Sequence, residues 1–418
     1  MVDYRPIPDE RDVFHEYRSY AFRPEEGVPE YDPEEHETPR ATLGSRRGLY
    51  ATEGADDEEP RCVCRHYWLE SRVRGDVHRT AGLASVATPP EYRRRGHVRQ
   101  LLARSLGEYR DHDVRFSVLW PFRYRFYRQY GWDTANRIVT HECEPSVLSF
   151  ATGALDASGT GTGTETERTI APQLEADEYE RLESAYAAHA DRYGLALERD
   201  ADWWRHRVFG GGDRDPFVYA VERDGRIEGY LVYAMDGGMG DRTMGVSELV
   251  FTDREALLAL LAFCYRHESQ VQRVRFRIPA DVPLRDLARD PDEIETTISD
   301  GPMVRIVDLA ATLSALSYPE RDATLTIGVE DPLVDWNEGT FALEVADGTA
   351  SCERTRGSPD SDDVDVSLEI GALSQLVVGC RSARALERTG CLEAAESTVL
   401  EDLSALFPET EVYLGEFF

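Results

Sequence analysis

One stretch of this chain dictates a local architecture: Ser85-Val86-Ala87-Thr88-Pro89-Pro90-Glu91-Tyr92-Arg93-Arg94-Arg95-Gly96-His97-Val98-Arg99-Gln100-Leu101-Leu102. An apolar, β-prone run ends at Thr88, and a turn containing two prolines follows. An arginine-rich loop with one glycine then opens an amphipathic helix that puts Leu101, Leu102 and Leu106 on its core side. A strand feeding a helix through such a loop leaves backbone N–H groups unpaired at the helix N-terminus. Those donors, the helix dipole and the flanking arginines can together hold a pyrophosphate. The plainer alternative is a basic surface turn.

The rest of the composition sets the surroundings. At 418 residues the chain exceeds one ordinary core, so two or three domains are expected. The net charge is −32, and all 47 basic residues are arginine, with no lysine at all. That balance fits the cytoplasm of a salt-accumulating, haloarchaeal-type cell, where carboxylates keep the surface hydrated and salt screens their repulsion. It argues against nucleic acid or an anionic membrane as partner. The chain carries no leader-like start and no run long enough to span a bilayer, so a cytoplasmic location is expected. The seven cysteines have no zinc-finger or Cys-x-x-Cys spacing. Cys62, Cys64 and His66 alternate along one strand face, but no second cluster completes four ligands. Reduced, buried thiols and no metal are expected.

Three units follow one another. Residues 1 to about 150 begin with Tyr4-Arg5-Pro6-Ile7 and a helix from about Asp9 to Phe22. Strand-like runs come at 48–52, 61–69, 70–74 and 80–88, then the loop and helix. A strand at 114–119, a short helix near 122–130 and a strand near 137–142 close the unit. Gly159-Thr160-Gly161-Thr162-Gly163-Thr164-Glu165 marks a linker over 151–172. The second unit, 173–310, holds a hairpin around Asp224-Gly225, a strand at 245–251 and a helix at 256–265. It repeats the strand–turn–helix plan, but Asp253 and Glu255 at the helix entry would repel a pyrophosphate. The third unit, 311–418, shows strands at 323–329, 341–345, 349–354 and 364–370, with helices at 371–379 and 392–407.

Three segments carry a resemblance. Arg93-Arg94-Arg95-Gly96-His97-Val98 resembles the acetyl-CoA-binding motif of GCN5-related N-acetyltransferases, (Arg/Gln)-x-x-Gly-x-(Gly/Ala), with Val98 in place of the last small residue. Phe126-Tyr127-Arg128-Gln129-Tyr130-Gly131-Trp132 resembles the family's aromatic segment. Residues from Asn337 to Gly348 and from Leu373 to Gly379 resemble a sterol-carrier-protein-like domain. Two acetyltransferase-like domains followed by such a domain is the arrangement of the Eis-type branch. The resemblance implies an α+β (mixed α/β) fold with two acetyltransferase-fold domains, the second degenerate and without CoA. It also implies a homo-oligomer, a trimer or hexamer.

The implied reaction is direct transfer of acetyl from acetyl-CoA to a primary amine of a cationic small molecule or peptide. The resemblance makes Tyr127 the general acid for the leaving thiolate, with Tyr124 and Tyr130 close enough in sequence to be confused with it. Tyr130, just before the glycine, is expected to pack against the sheet. The resemblance also makes the α-carboxylate of Phe418 the general base, desolvated by its aromatic surroundings. Glu416 could attract the amine or be one more surface acid. Val86, Ala87 and Thr88 would offer backbone groups to the pantetheine arm. Arg94, Arg95, Gly96, His97, Val98 and Arg99 would wrap the pyrophosphate, and Phe122 and Arg123 sit where relatives make a further contact. The alternative function is a non-catalytic CoA- or lipid-binding protein that has kept the fold.

Overall fold

The computed structural model describes residues 2–7, 13–28, 30–51, 59–154, 168–211, 214–238, 240–356 and 364–418. The expected helix start near Asp9 and the Gly-Thr linker lie outside these residues. The chain forms two compact units. One combines Met1–Asn136 with Gly301–Phe418, and the other is Arg137–Asp300.

The first unit is built on strands β1 (Val2–Pro6), β2 (Ser45–Ala51), β3 (Cys62–Val73) and β4 (Asp76–Ala87). They are joined by β5 (Phe116–Leu119), β6 (Asp133–Thr134) and β7 (Met303–Ile306). The spatial order is β1-β2-β3-β4-β5-β7-β6. The runs expected as two strands at 61–69 and 70–74 form the single strand β3. Arg74 and Gly75, at φ 54° and 87°, make the tight turn into β4, the backbone geometry that a twisted hairpin favours.

Strand β4 carries the feature that opens the site. Val63 pairs with Ala87 and Arg65 with Ala84, so three steps on β4 match two on β3. This β-bulge centres on Ser85, whose φ is 52°, and it reverses which face the following side chains address. Ala81 and Leu83 pack with helix α2 (His97–Asp111), whereas Ala87, beyond the bulge, packs with helix α1 (Val13–Phe22). Strands β4 and β5 pair in parallel only as far as Leu83 and Leu119. Pro121 cannot extend the ladder, so β4 runs on without β5 from Ala84 to Ala87.

Two strands lie where sequence order does not put them. The strand Ile138–Cys143, expected to close the first unit, pairs with Arg273–Ile278 and Glu295–Ser299 in the sheet of the second unit. Strand β7, expected to belong to the second unit, pairs antiparallel with β5 and β6. Each is a short apolar run whose period-2 pattern suits either sheet.

The second unit carries a seven-stranded sheet. Its strand Thr243–Phe251 leads into the helix Arg254–Tyr265, and the Asp253 carboxylate accepts from the N–H of Ala256 at 2.7 Å. An acid side chain thus already caps this helix N-terminus.

Residues 323–394 add a five-stranded sheet to the first unit, ordered Thr349–Arg354, Gly339–Ala346, Ala323–Glu330, Val366–Glu369, Leu392–Ala394. The helix expected over 392–407 is in fact the strand Leu392–Ala394 followed by a helix at Ser397–Leu406, because Leu392 and Ala394 complete a ladder with Val366–Leu368. Helix α3 (Ile370–Val378) packs on β7 and on β6. Arg74, in the β3–β4 turn, caps its C-terminal end, donating from Nε to the Val377 carbonyl at 2.7 Å and from Nη2 to Leu376 at 2.9 Å. Burial pushes the Arg74 pKa down to about 10, and the carbonyls at the negative end of the helix dipole answer its charge.

A second tie is fully buried. Arg305 of β7 pairs with Asp331 and also donates to the carbonyl of Tyr130. Gly131 follows at φ 88°, and a Cβ there would run into the Arg305 guanidinium and lie 2.6 Å from Ile370 Cγ2. Asp331→Ala strands that guanidinium, and should cost roughly 3–5 kcal/mol of stability. Chemical denaturation with an unchanged midpoint would contradict it.

Candidate active site

The loop after β4 is held in an unusual backbone conformation. Arg94 and Gly96 both have left-handed φ, 59° and 79°. No side chain caps α2, and its first intrahelical hydrogen bond runs from Gln100 N to Gly96 O at 3.2 Å. The N–H groups of the first turn are therefore unanswered within the helix. A Cβ on Gly96 would meet nothing within 4 Å, so the loop faces open space.

That space is a cleft. Val86, Ala87, Thr88, Arg94, Gly96, His97, Val98, Arg99 and Phe122 line it, joined by Phe126 and Tyr130. Arg95 and Arg123 are exposed and do not line it. Two buried polar atoms on the cleft-lining residues, Thr88 Oγ1 and His97 Nδ1, have no hydrogen-bond partner. Orphaned groups beside a cationic loop suit a ligand that brings its own acceptors and donors. Burial, and then the charges of Arg61 and Arg95, hold the His97 pKa below its ordinary value. Arg99 turns away to donate to the Pro332 carbonyl at 2.6 Å.

Helix Tyr124–Arg128 and the turn that follows it present three tyrosines in different settings. The Tyr124 hydroxyl is committed to Asp133. Tyr130 packs against the core cluster on the sheet, as expected, and also lines the cleft beside Phe126. Tyr127 is 4% exposed and belongs to the apolar cluster of Ala81, Leu83, Leu119 and Trp132. Burial pushes its phenol well above the ordinary tyrosine value, with the neighbouring Cys64 thiol adding to the effect. The Cys64 thiol is itself pushed up to about 12 by burial and shares hydrogen bonds with His66 and Ser105. Among the described residues no group of side chains could hold a metal ion.

The last residues reach the same strand from the other face. Leu414 N donates to Asn136 Oδ1 at 3.0 Å, and Trp120 Nε1 donates to the Glu416 carbonyl at 2.7 Å. The Phe418 ring lies 5.3 Å from the Tyr67 ring, centroid to centroid, and covers Gly82. A Cβ on Gly82 would be 2.8 Å from Phe418 Cε2. Side chains alternate along a strand, so Ala81 and Leu83 turn to the cluster of Tyr127 while position 82 faces Phe418. The last residue and Tyr127 thus flank β4 from opposite sides, at the end of its pairing with β5.

Comparison with known proteins agrees with this architecture. Residues 4–135 and 195–306 each match an acetyltransferase (GNAT) domain, and residues 309–415 match a sterol carrier protein domain. An uncharacterized N-acetyltransferase of Streptomyces griseus is 28% identical over 378 residues, covering 86% of this chain and 87% of its own. N-acetyltransferase Eis of Mycobacterium tuberculosis is 26% identical over 335 residues, 78% of each chain. The crystal structure of a GCN5-related N-acetyltransferase from Anabaena variabilis shares the fold over 100% of both chains, with a TM-score of 0.80 at 20% identity. A probable N-acyltransferase from Enterococcus faecalis does so with a TM-score of 0.83, also at 20% identity and over 100% of both chains. Among the described residues no helix is long and apolar enough to cross a membrane. With two acetyltransferase domains ahead of a sterol carrier protein domain, this chain is an acyltransferase and belongs to the Eis-like GCN5-related N-acetyltransferases.

Proposed function

We propose that the protein transfers acetyl from acetyl-CoA directly to a primary amine, at the point where β4 and β5 part. The observation that carries this reading is the placement of Tyr127 and Phe418 on opposite faces of β4, the strand whose Val86–Thr88 end lines the cleft. In it, the pyrophosphate of acetyl-CoA lies on the free N–H groups of the Arg94–Arg99 turn. The pantetheine arm follows the unpaired edge of Val86, Ala87 and Thr88. The α-carboxylate of Phe418 takes a proton from the acceptor's ammonium, the nitrogen lone pair attacks the thioester carbonyl, and the C–S bond breaks. The Tyr127 hydroxyl gives its proton to the departing thiolate, and the second proton of the attacking nitrogen leaves as the amide forms and returns through solvent to the Tyr127 phenolate. A phenol whose pKa is raised stays protonated at neutral pH, which is the form a proton donor needs. The second acetyltransferase domain takes no CoA in this scheme, because Asp253 occupies its helix N-terminus.

Gly96→Asp tests the binding half of the proposal. Aspartate is one of the few side-chain-bearing residues that accept a left-handed φ, so the loop can fold. Its carboxylate would face the phosphates. Calorimetry should show CoA affinity falling by more than about tenfold, equivalent to about 1.4 kcal/mol. Unchanged affinity would remove the loop from the site. CoA binding with no transfer to any amine would favour the non-catalytic reading.

A further inference from the structure

The turn that carries Tyr127 is fastened from outside by a buried arginine. Helix Tyr124–Arg128 is five residues long, too short to hold its own position. It ends in a Schellman motif. Trp132 N donates to the Tyr127 carbonyl at 3.4 Å, Gly131 N donates to the Arg128 carbonyl at 3.0 Å, and Gly131 is the left-handed residue. The apolar contact that such a motif makes between its flanking residues is here Trp132 against Tyr127, with ring centroids 6.4 Å apart. Tyr130 N also donates to the Tyr127 carbonyl, at 3.0 Å. The whole turn therefore closes on the backbone of the proposed acid.

Arg305 clamps this motif. Its Nη1 donates to the Tyr130 carbonyl, its guanidinium carbon lies 5.2 Å from the centroid of the Trp132 ring, and it fills the space that a Cβ on Gly131 would need. Its Nη2 donates to Asp331 Oδ2, while Asp331 Oδ1 accepts from the N–H groups of Leu333 and Val334 at 2.9 and 3.2 Å. Leu333 and Val334 belong to the same buried cluster as Tyr127 and Trp132. Arg305 stands on β7, between β5 and β6, and β6 begins directly after Trp132. Tyr127 lies in the first acetyltransferase match, Arg305 in the second, and Asp331 in the sterol carrier protein match.

Breaking a buried ion pair strands a charge, but apolar residues of the same size would often stabilise the fold as well as the intact pair does. What the pair supplies beyond stability is direction. A planar guanidinium serves Asp331 and the Tyr130 carbonyl together at fixed angles, which an ammonium does not. The geometry points to Arg305, held by Asp331, as a positioning residue for the Tyr127 hydroxyl. The C-terminal domain then governs the placement of the acid as well as carrying the Phe418 carboxylate. This rests on the acetyl-transfer reading above, in which Tyr127 protonates the thiolate. Arg305 acts only through the Tyr127–Trp132 turn, and a misplacement of about 1 Å can cost about 10²-fold in rate.

Kinetics of the full-length protein in two backgrounds test this. Arg305→Lys keeps a cation beside Asp331 but loses the fork. It should lower kcat at least about tenfold, with KM for acetyl-CoA within about twofold of the wild type. In a Tyr127→Phe background the same change should lower kcat by less than about twofold, because the group being positioned is gone. Trp132→Phe leaves the ion pair whole and serves if Arg305→Lys does not fold. It should lower kcat about threefold or more in the wild type and cost nothing further beside Tyr127→Phe. Equal losses in both backgrounds, or an Arg305→Lys protein with undiminished kcat, overturn the positioning role and leave Tyr127 as the acid. A Tyr127→Phe protein with undiminished kcat overturns the acid, and the positioning role with it.

Discussion

A C-terminal extension should abolish acetyl transfer while leaving the fold and CoA binding intact. If the α-carboxylate of Phe418 is the base, no side chain can stand in for it, because main-chain length fixes its position. The tail is tied at Asn136 and Trp120, and Phe418 covers Gly82. Extension turns the carboxylate into a neutral amide and pushes bulk against Tyr67. Deleting Phe418 leaves a carboxylate on Phe417, one residue short. A residue spans about 3.3–3.6 Å, while a base must come within about 3.2 Å of its proton or work through one water. Both changes should lower kcat by roughly 10²–10⁴. Gly82→Ala provides an internal check, since its methyl would displace the Phe418 ring without touching the cleft residues. Full turnover by an extended protein, with the extension confirmed by mass spectrometry, would rule the mechanism out and make Glu416 the next candidate.

Tyr127→Phe is the second change of that size. It removes one oxygen from a residue packed among Phe122, Phe126 and Trp132, so the ring and its contacts stay. If the hydroxyl protonates the thiolate, kcat should fall by about 10²–10⁴ with little change in acetyl-CoA affinity. Tyr130→Phe should be mild, because the cleft uses its ring and Arg305 uses its carbonyl. A large loss at Tyr130 and a small one at Tyr127 would reverse the assignment.

The sequence made the strand, loop and helix around Gly96 legible, because periodicity 2 gives way to periodicity 3.6 across a glycine that must adopt a positive φ. The aromatic segment was readable by likeness, but the settings of its tyrosines were not. Only the fold commits Tyr124 to Asp133 and turns Tyr130 into the cleft. Strand β7 escaped for a physical reason. Met303-Val304-Arg305-Ile306 is four residues long, and nothing in it says which sheet supplies its partners. Leu392–Ala394 escaped likewise, since three residues carry too little pattern to tell a strand from the start of a helix.

The insertion of β7 between β5 and β6 also governs the order in which the protein can be made. During synthesis, residues up to Thr134 emerge with β5 complete but its far edge bare. The strand that must pair with it lies at Met303–Ile306, more than 160 residues later. Loop closure over so long a segment costs only a little more than over a short one, about 0.6 kcal/mol per doubling. The penalty falls on time instead. Until Ile306 leaves the ribosome, the nascent N-terminal part holds an open, apolar strand edge, the kind that recruits other chains. A fragment ending after β6 should therefore aggregate, although every residue proposed for acetyl-CoA binding lies within it.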